Sequence, residues 1–518
     1  MTPLMSTARR SLLSQLKWGV LLSYVSMGLG IILSLVYTPF MLRLLGQSEY
    51  GLYSLVASVV SQLHLLSFGF GGAYVRYHAR AAVGDRHGEV ARLNGLFMVV
   101  FSVIGVISVL VGVFLAANIG AVLGDKLSAA EIATARILTG LMTFTVALSF
   151  PASVFSSFIT VNERFVFQRL LQLARTVATP VLTLIVLLLG YDSVGMAVVA
   201  AFVAVTVTMM EIKYCLSKLD MDFSFKGLDV QLLKEIAVFS FYIFINMLVD
   251  QVNWNVDKFI LGRVGGTVSV AVYAIGAQLT TYYMSLSTTV SSVFVPRVNR
   301  LVATVRDNEE LTLLFTRVGR IQFLVLALVA SGFAVYGRPF INRWAGVDYT
   351  GAYPIALLLM IAITIPLTQN LGIEIQRAKD LHRFRSWLYL GMALLNIAVS
   401  IPLAQHYGGL GAAAGTAATQ LLANTLIMNV YYHKRVGLDM KYFWRQILRI
   451  VPALAPALAF GTGTAFLVDL TSVSNLILCG LIFVGVYAGS MWVFGMNAYE
   501  KHLFSRLAIA PRRQGNSM

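Results

Sequence analysis

The chain has 518 residues, of which 58% are hydrophobic and only 12% charged, and its mean hydropathy is +0.77. Soluble domains carry about 25% charged residues, so a soluble globular fold is excluded, and apolar runs of roughly 20 residues that are continuous rather than alternating exclude a transmembrane β-barrel. The net charge of +16 sits in short gaps between those runs, which points to membrane topology and away from nucleic acid.

Arg9, Arg10 and Lys17 precede the first apolar run, and no small-residue cleavage site follows it. The run reads as a first spanning helix rather than a cleaved signal peptide. Spanning segments are expected at 18–42, 51–73, 94–118, 131–159, 166–190, 193–215, 235–261, 268–294, 314–340, 352–375, 386–405, 408–432, 447–469 and 473–496. The expected fold is therefore an all-α polytopic membrane protein of about fourteen transmembrane helices. The longest connections, Arg76 to Asn94, Leu216 to Lys234 and Arg297 to Arg317, leave no room for a soluble domain. An even number of spans puts both termini on one side. That side collects about 31 of the Lys and Arg residues, against about 6 on the other, so it reads as cytoplasmic. Two cysteines, Cys215 and Cys479, form no disulfide or metal framework.

Several polar residues lie where only apolar ones would be expected. In the first span Ser23, Ser26, Gly30, Ser34 and Tyr37 share a weakly polar face suited to close packing. His64, near Gln62 in the second, fits a proton relay or a hydrogen-bonded packing role. Arg76 and Arg80 end the second span, and Arg297 and Arg300 end the eighth. They stand where an incoming diphosphate or anionic lipid would be met, and equally where topology requires basic residues. Arg43 stands at the outer end of the first span. Arg175 lies about ten residues into the fifth span, on one face with Gln168 and Gln172. A planar, permanently charged guanidinium suits a phosphate. Snorkelling to the surface is the competing reading.

The seventh span is the most polar. Asn246, Asp250, Asn253 and Asp257 recur at the spacing of one helical face. A lipid-facing helix could not hold that face, because a central ionised group costs about 2.5–3.5 kcal/mol even on the lenient insertion scale. Asp257 and Lys258 are expected to cap the outer helix end. Asp250 lies deeper, about 16 Å along the helix from that end. It is the candidate for a cavity role and for coupling to H+ or Na+. In the eighth span Gln278, Tyr282 and several Ser and Thr hydroxyls suit sugars, although such hydroxyls also bond back to their own helix. In the tenth, Asn370, Glu374 and Arg377 share a face beyond Pro366, where a kink is expected.

The chain also repeats itself. Leu45-Gly46 and Leu261-Gly262 close the first and seventh spans. Val194-Gly195 and Leu410-Gly411 open the sixth and twelfth. Both pairs are offset by 216 residues, as are Arg169 and Arg385. Residues 1–225 and 226–442 thus read as two six-helix lobes in the same orientation, with 443–518 as two added helices and a tail.

With LLGQSEYGLYSLV after the first span, NVDKFILG closing the seventh and twelve-plus-two spans, the chain resembles the polysaccharide transporters of the multidrug/oligosaccharidyl-lipid/polysaccharide exporter superfamily, which include O-antigen and capsule-unit flippases. The resemblance implies two pseudo-symmetric lobes around a central cavity that opens alternately to each side. It implies transport, not catalysis, of an undecaprenyl-diphosphate-linked oligosaccharide from the cytoplasmic to the outer leaflet of a bacterial inner membrane. No cofactor is expected. Membrane lipids, and a polysaccharide polymerase with other assembly proteins, are the expected partners. Lipid II or another polyprenyl lipid is an alternative cargo. A drug or cation antiporter ranks lower, because the first two spans lack a buried acid and Arg175 is present. A membrane-embedded polymerase ranks lower still, because the outer loops are short. No GxxxxGK[ST] motif is present to support ATP drive.

Overall fold

The computed structural model describes residues 3–83, 87–124, 126–226, 230–304, 308–381 and 383–509. Every regular element among them is helical, as the bilayer demands of a backbone that finds no water to bond. In order these are α1 (Pro3–Leu45), α2 (Gln47–Val60), a 3₁₀ turn (Ser61–Ser67), α3 (Phe70–Val83), α4 (His87–Ala117), α5 (Ile119–Leu123) and α6 (Ala129–Val161). Then come α7 (Phe165–Leu188), α8 (Ser193–Lys218), α9 (Val230–Thr304), α10 (Asn308–Trp344), α11 (Ala352–Thr368) and α12 (Leu371–Ala378). The chain closes with α13 (Arg383–Val436), α14 (Met440–Leu448), α15 (Ala455–Leu467), α16 (Val473–Ser490) and α17 (Ala498–Ile509).

Among the described residues, eleven helices are long and apolar enough to cross a membrane, or twelve if α11 and α12 form one span bent by 41°. That bend falls just after Pro366, where the kink was expected. The difference from fourteen has a physical source, because two long helices each carry two expected spans. In α9 the backbone leaves helical geometry at Gly266, where φ is +71°. The Tyr273 hydroxyl donates to the Asp257 carboxylate sixteen residues earlier, which lie about 24 Å apart on an unbroken helix. The chain therefore folds back at Gly266. In α13 the break is Gly408, with φ +57°. A Cβ on Gly411 would stand 1.9 Å from the Leu403 carbonyl oxygen, eight residues earlier and about 12 Å away on a straight helix. Asp257 is thus no interfacial cap: it is 1% exposed and held by Tyr273.

Contacts gather the residues into two compact units, Met1–Ala274 with Ser400–Ala412, and Ile275–Val399 with Ala413–Met518. In the first unit α6 packs against α2, α3, α4 and α8. Small residues let the helices approach: a Cβ on Gly112 would strike Thr143, and one on Gly105 would lie 3.1 Å from the Ala147 carbonyl oxygen. The LLGQSEYGLYSLV stretch joining α1 to α2 makes structural contacts. Gly46, at φ +76°, separates α1 from α2. The Ser48 hydroxyl donates to Glu131 at 2.8 Å and lies 2.9 Å from the Thr267 hydroxyl. Glu131 also accepts from Thr267 at 3.0 Å and closes a capping box with Ser128 at the start of α6. Gly51 lets α2 meet the backbone of Thr267, where a Cβ would come within 1.9 Å of its carbonyl oxygen.

After α8 the chain turns back beneath the same unit. Met221 N bonds to the Cys215 carbonyl, Ser224 N to the Ala91 carbonyl at 2.8 Å, and Asn94 Nδ2 to the Asp222 carbonyl at 2.9 Å. Asn94 Oδ1 accepts from the Tyr74 hydroxyl at 2.6 Å, and Phe223 packs against Phe155. Residues 221–225 are thus strapped to α4, α6 and the end of α8.

The second unit is organised around α10. Phe315, Val318, Tyr432, Phe443 and Ile447 form one buried cluster, and Leu324, Tyr336, Phe483, Tyr487 and Met491 form another. Arg320, 4% exposed, staples the C-terminal elements to α10. Its Nε meets Glu500 Oε1 at 2.6 Å, and its Nη2 bonds to the Gly495 carbonyl at 2.8 Å and to Glu500 Oε2 at 3.0 Å. Its Nη1 donates to the Gln446 carbonyl. Lys379 donates to Asn308 Oδ1 at 2.6 Å and to the Val436 carbonyl at 2.9 Å. Burial there holds its ammonium below the usual lysine range.

Candidate functional site

A cavity of about 560 Å³ opens in the first unit between the 3₁₀ turn, α6, α7 and α8. On α6, Thr145, Ser149, Ser153 and Ser156 face it at helical spacing. Their hydroxyl hydrogens are partly committed: Thr145 donates to the Leu141 carbonyl at 3.0 Å, Ser149 to Val146 at 2.6 Å and Ser153 to Phe150 at 2.6 Å. Such back-bonded hydroxyls turn oxygen lone pairs outward, so this wall is rich in acceptors. Pro151 sits in the same stretch and gives no N–H to the preceding turn.

The opposite wall is α7, where Gln168, Leu171, Gln172 and Arg175 share one face. Gln168 Nε2 lies 3.1 Å from Thr160 Oγ1 and 3.3 Å from Ser156 Oγ, which fixes this amide against α6. Gln172 and Arg175 are exposed to the cavity. Arg175 forms no ion pair among the described residues, so its donor fork is open to an anion. Arg169 adds a second cation to the lining. The third wall, α8, contributes Ala204, Val207, Thr208 and Glu211 on one face. Glu211 is 9% exposed and lines the same cavity as Ser156 and Arg175. His64 completes the lining from the 3₁₀ turn, exposed and edge-on to Phe150 at 6.3 Å.

The structure thus brings Arg175, Gln168, Gln172 and His64 together and adds Glu211, which the sequence reading passed over. Glu211 lies near the end of an apolar run, two residues before Lys213, and reads as interfacial until α6 and α7 are seen to enclose it. The face it shares with Ala204, Val207 and Thr208 was the available signal.

Other expected site residues lie elsewhere. The side chains of Asn246, Asp250 and Asn253 fall outside the described residues, as does that of Arg80. Arg76, Arg297 and Arg300 are exposed. Gln278 Nε2 donates to the Tyr282 hydroxyl one turn on at 2.5 Å. Neighbouring hydroxyls are largely engaged within the second unit: Thr280 with the Gly276 carbonyl, Ser285 with Tyr282, Ser287 with Leu367, and Tyr283 with Thr364. Glu374 pairs with Arg377 at 2.8 Å at the surface, and Asn370 stands at the start of α12. Cys215 and Cys479 are free and buried. Among the described residues no group of His, Cys, Asp and Glu could hold a metal ion.

A separate groove of about 500 Å³ runs between α10 and α16 in the second unit. It is lined by Leu328, Phe333, Phe340, Ile477, Phe483 and similar apolar groups, which suits a hydrocarbon chain.

Helices that span, small-residue packing and a polar cavity define a multi-pass membrane protein. The fold is shared with a lipid II flippase, MurJ, in its inward closed conformation: TM-score 0.72 at 16% identity, covering 94% of this chain and 99% of that one. It is also shared with an inward-facing multidrug resistance transporter of the MATE family and MOP superfamily, at TM-score 0.62 and 12% identity over 81% of this chain and 96% of that one. Residues 16–302 match the family described as polysaccharide biosynthesis protein, and the chain belongs to that family. It is also 21% identical over 482 residues to the uncharacterized membrane protein EpsK of Bacillus subtilis strain 168, covering 92% of this chain and 94% of that protein.

Proposed function

We propose that this protein flips a polyprenyl-diphosphate-linked oligosaccharide, of the undecaprenyl type, from the cytoplasmic to the outer leaflet of a bacterial inner membrane. The observation that carries the proposal is the first-unit cavity, where an arginine without an ion pair stands among amides and acceptor hydroxyls. Arg175 would take the diphosphate or an acidic sugar, while Gln172 and the α6 hydroxyls exchange hydrogen bonds with the glycan. The apolar groove on α10 and α16 suits the prenyl chain. Family membership and the flippase-like fold support this reading, and the excess of basic residues on one side supports cytoplasmic termini. The two repeats at 1–225 and 226–442 would move against each other in alternating access. Arg76, Arg80, Arg297 and Arg300 would draw the diphosphate to the cytoplasmic mouth. Asn246, Asp250, Asn253, Gln278, Tyr282, Asn370 and Glu374 would contribute to the path in the second repeat, with Asp250 linked to H+ or Na+. A polymerase and other assembly proteins would receive the cargo.

The decisive assay places the purified protein in vesicles with a fluorescent polyprenyl-diphosphate oligosaccharide and measures its exposure to an external quencher. Wild-type vesicles should equilibrate the probe between leaflets, and Arg175→Ala vesicles should do so at least about tenfold more slowly. Equal rates in protein-free and wild-type vesicles would refute flipping. Asp250→Asn should remove any dependence of the rate on pH or sodium, and unchanged dependence would refute that coupling.

Glu211 favours one second reading, cation antiport, because an acid in a polar intramembrane cavity suits a cationic cargo. In that case Glu211→Gln would abolish export of an organic cation, and Arg175→Ala would spare it.

A further inference from the structure

The helix α14, MKYFWRQIL, is nine residues long and joins α13 to α15. Its inner face is fixed at several points. Met440, Phe443 and Ile447 are buried, and Phe443 packs against Phe315 with the rings tilted and 4.7 Å between their centres. Trp444 Nε1 donates to Asn429 Oδ1 at 2.8 Å, and the Gln446 carbonyl accepts from Arg320. At its start Asp439 Oδ1 accepts from the backbone N–H groups of Lys441 and Tyr442, both at 3.0 Å, while Asp439 N bonds to Thr312.

The outer face has a different character. Lys441, Arg445 and Arg449 recur every four residues and are all exposed, forming a stripe opposite the buried face. Lys434 and Arg435, just before α14, are exposed as well. Asp439 is the one acid between residues 433 and 449, and its carboxylate is engaged as the helix cap. None of the five bases forms an ion pair among the described residues. Beside the stripe, Leu448 is 61% and Val451 41% exposed. Three bases on the first turns of a segment that then continues into the apolar α15 place α14 at the boundary between hydrocarbon and water.

We infer that α14 is a docking surface for anionic phospholipid headgroups. The charges match a layer of phosphates, and the arginines can engage them through paired donors. The bordering Leu448 and Val451 fit acyl chains below those headgroups, a feature that an acidic soluble partner would leave uncovered. The inner attachments hold the basic stripe in place, so little side-chain and backbone freedom remains to be lost on binding. The inference does not depend on the transported cargo.

Retention of phosphatidylglycerol and phosphatidylcholine on the purified full chain, followed by native mass spectrometry across a salt series, tests it. Wild type should retain phosphatidylglycerol preferentially, and salt should weaken the retention. The triple variant K441Q/R445Q/R449Q should lose that preference by at least about tenfold with phosphatidylcholine retention unchanged. A charge-reversed K441E/R445E/R449E chain should instead prefer a cationic lipid. Should a triple variant fail to fold, the single variants K441Q, R445Q and R449Q take its place, each expected to lose part of the preference for phosphatidylglycerol; no loss in any of them would overturn the inference. Equal retention of both lipids by wild type, retention insensitive to salt, full displacement by free glycerol phosphate, or binding of an acidic polypeptide in place of lipid would each overturn the inference.

Discussion

Two arginines in membrane-spanning helices meet opposite fates. Arg320 on α10 is 4% exposed and its guanidinium is occupied by Glu500 and two backbone carbonyls. Arg175 on α7 is exposed to a cavity and forms no ion pair among the described residues. Both charges must be kept from bare hydrocarbon. The first is kept from it by enclosure in fixed partners, which gives rigidity and leaves nothing for a ligand. The second is kept from it by a polar chamber, which leaves its donors free. Surroundings, rather than residue type, separate a staple from a cation whose donors stay open.

The comparison can be broken most forcefully at the staple. Removing one partner of a buried pair leaves an uncompensated charge, at a cost of about 3–5 kcal/mol. Glu500→Ala should therefore lower the unfolding midpoint in detergent markedly, and the double change Arg320→Met with Glu500→Met should recover much of the loss. If Glu500→Ala unfolds like wild type, the pair is not structural.

Arg175→Ala should do the reverse. Its stability should stay within about 0.5 kcal/mol of wild type, while flipping falls at least tenfold, about 1.4 kcal/mol. Arg175→Lys should restore part of the rate, because it keeps the charge but loses the planar fork. A large stability loss in Arg175→Ala would place it with Arg320. Glu211→Gln comes next: glycolipid flipping should fall only severalfold and the fold should persist, as vesicle assays and thermal unfolding would report. The smallest effect is expected at Ser48→Ala. Glu131 keeps its other partners there, so about 1 kcal/mol should be lost, seen as a slight fall in unfolding midpoint with flipping intact.

Much of this was written in local sequence. Apolar runs gave the spans, Pro366 gave the bend, and Arg175 with Gln168 and Gln172 stood out because amides and a cation at helical spacing have no place against lipid. What stayed hidden depends on residues distant in the chain. Arg320 and Glu500 are 180 residues apart, and neither position alone announces a partner. Asp257 read as an interfacial cap because its partner, the Tyr273 hydroxyl, belongs to the next span, sixteen residues on and across the turn at Gly266. The hydroxyls following Gly276 looked free for sugars, yet the nearest acceptors were carbonyls of their own helix and of α11.

The strap at residues 221–225 bears on how the chain can be divided. Its hydrogen bonds to Ala91 and Asn94 and its packing on Phe155 make it part of the body that precedes it, not a slack tether between halves. If the protein is produced as two co-expressed fragments, the break belongs between Lys226 and Val230. A cut before Met221 would strip the first fragment of the segment that closes its underside, and would leave the buried Asn94 amide without an acceptor.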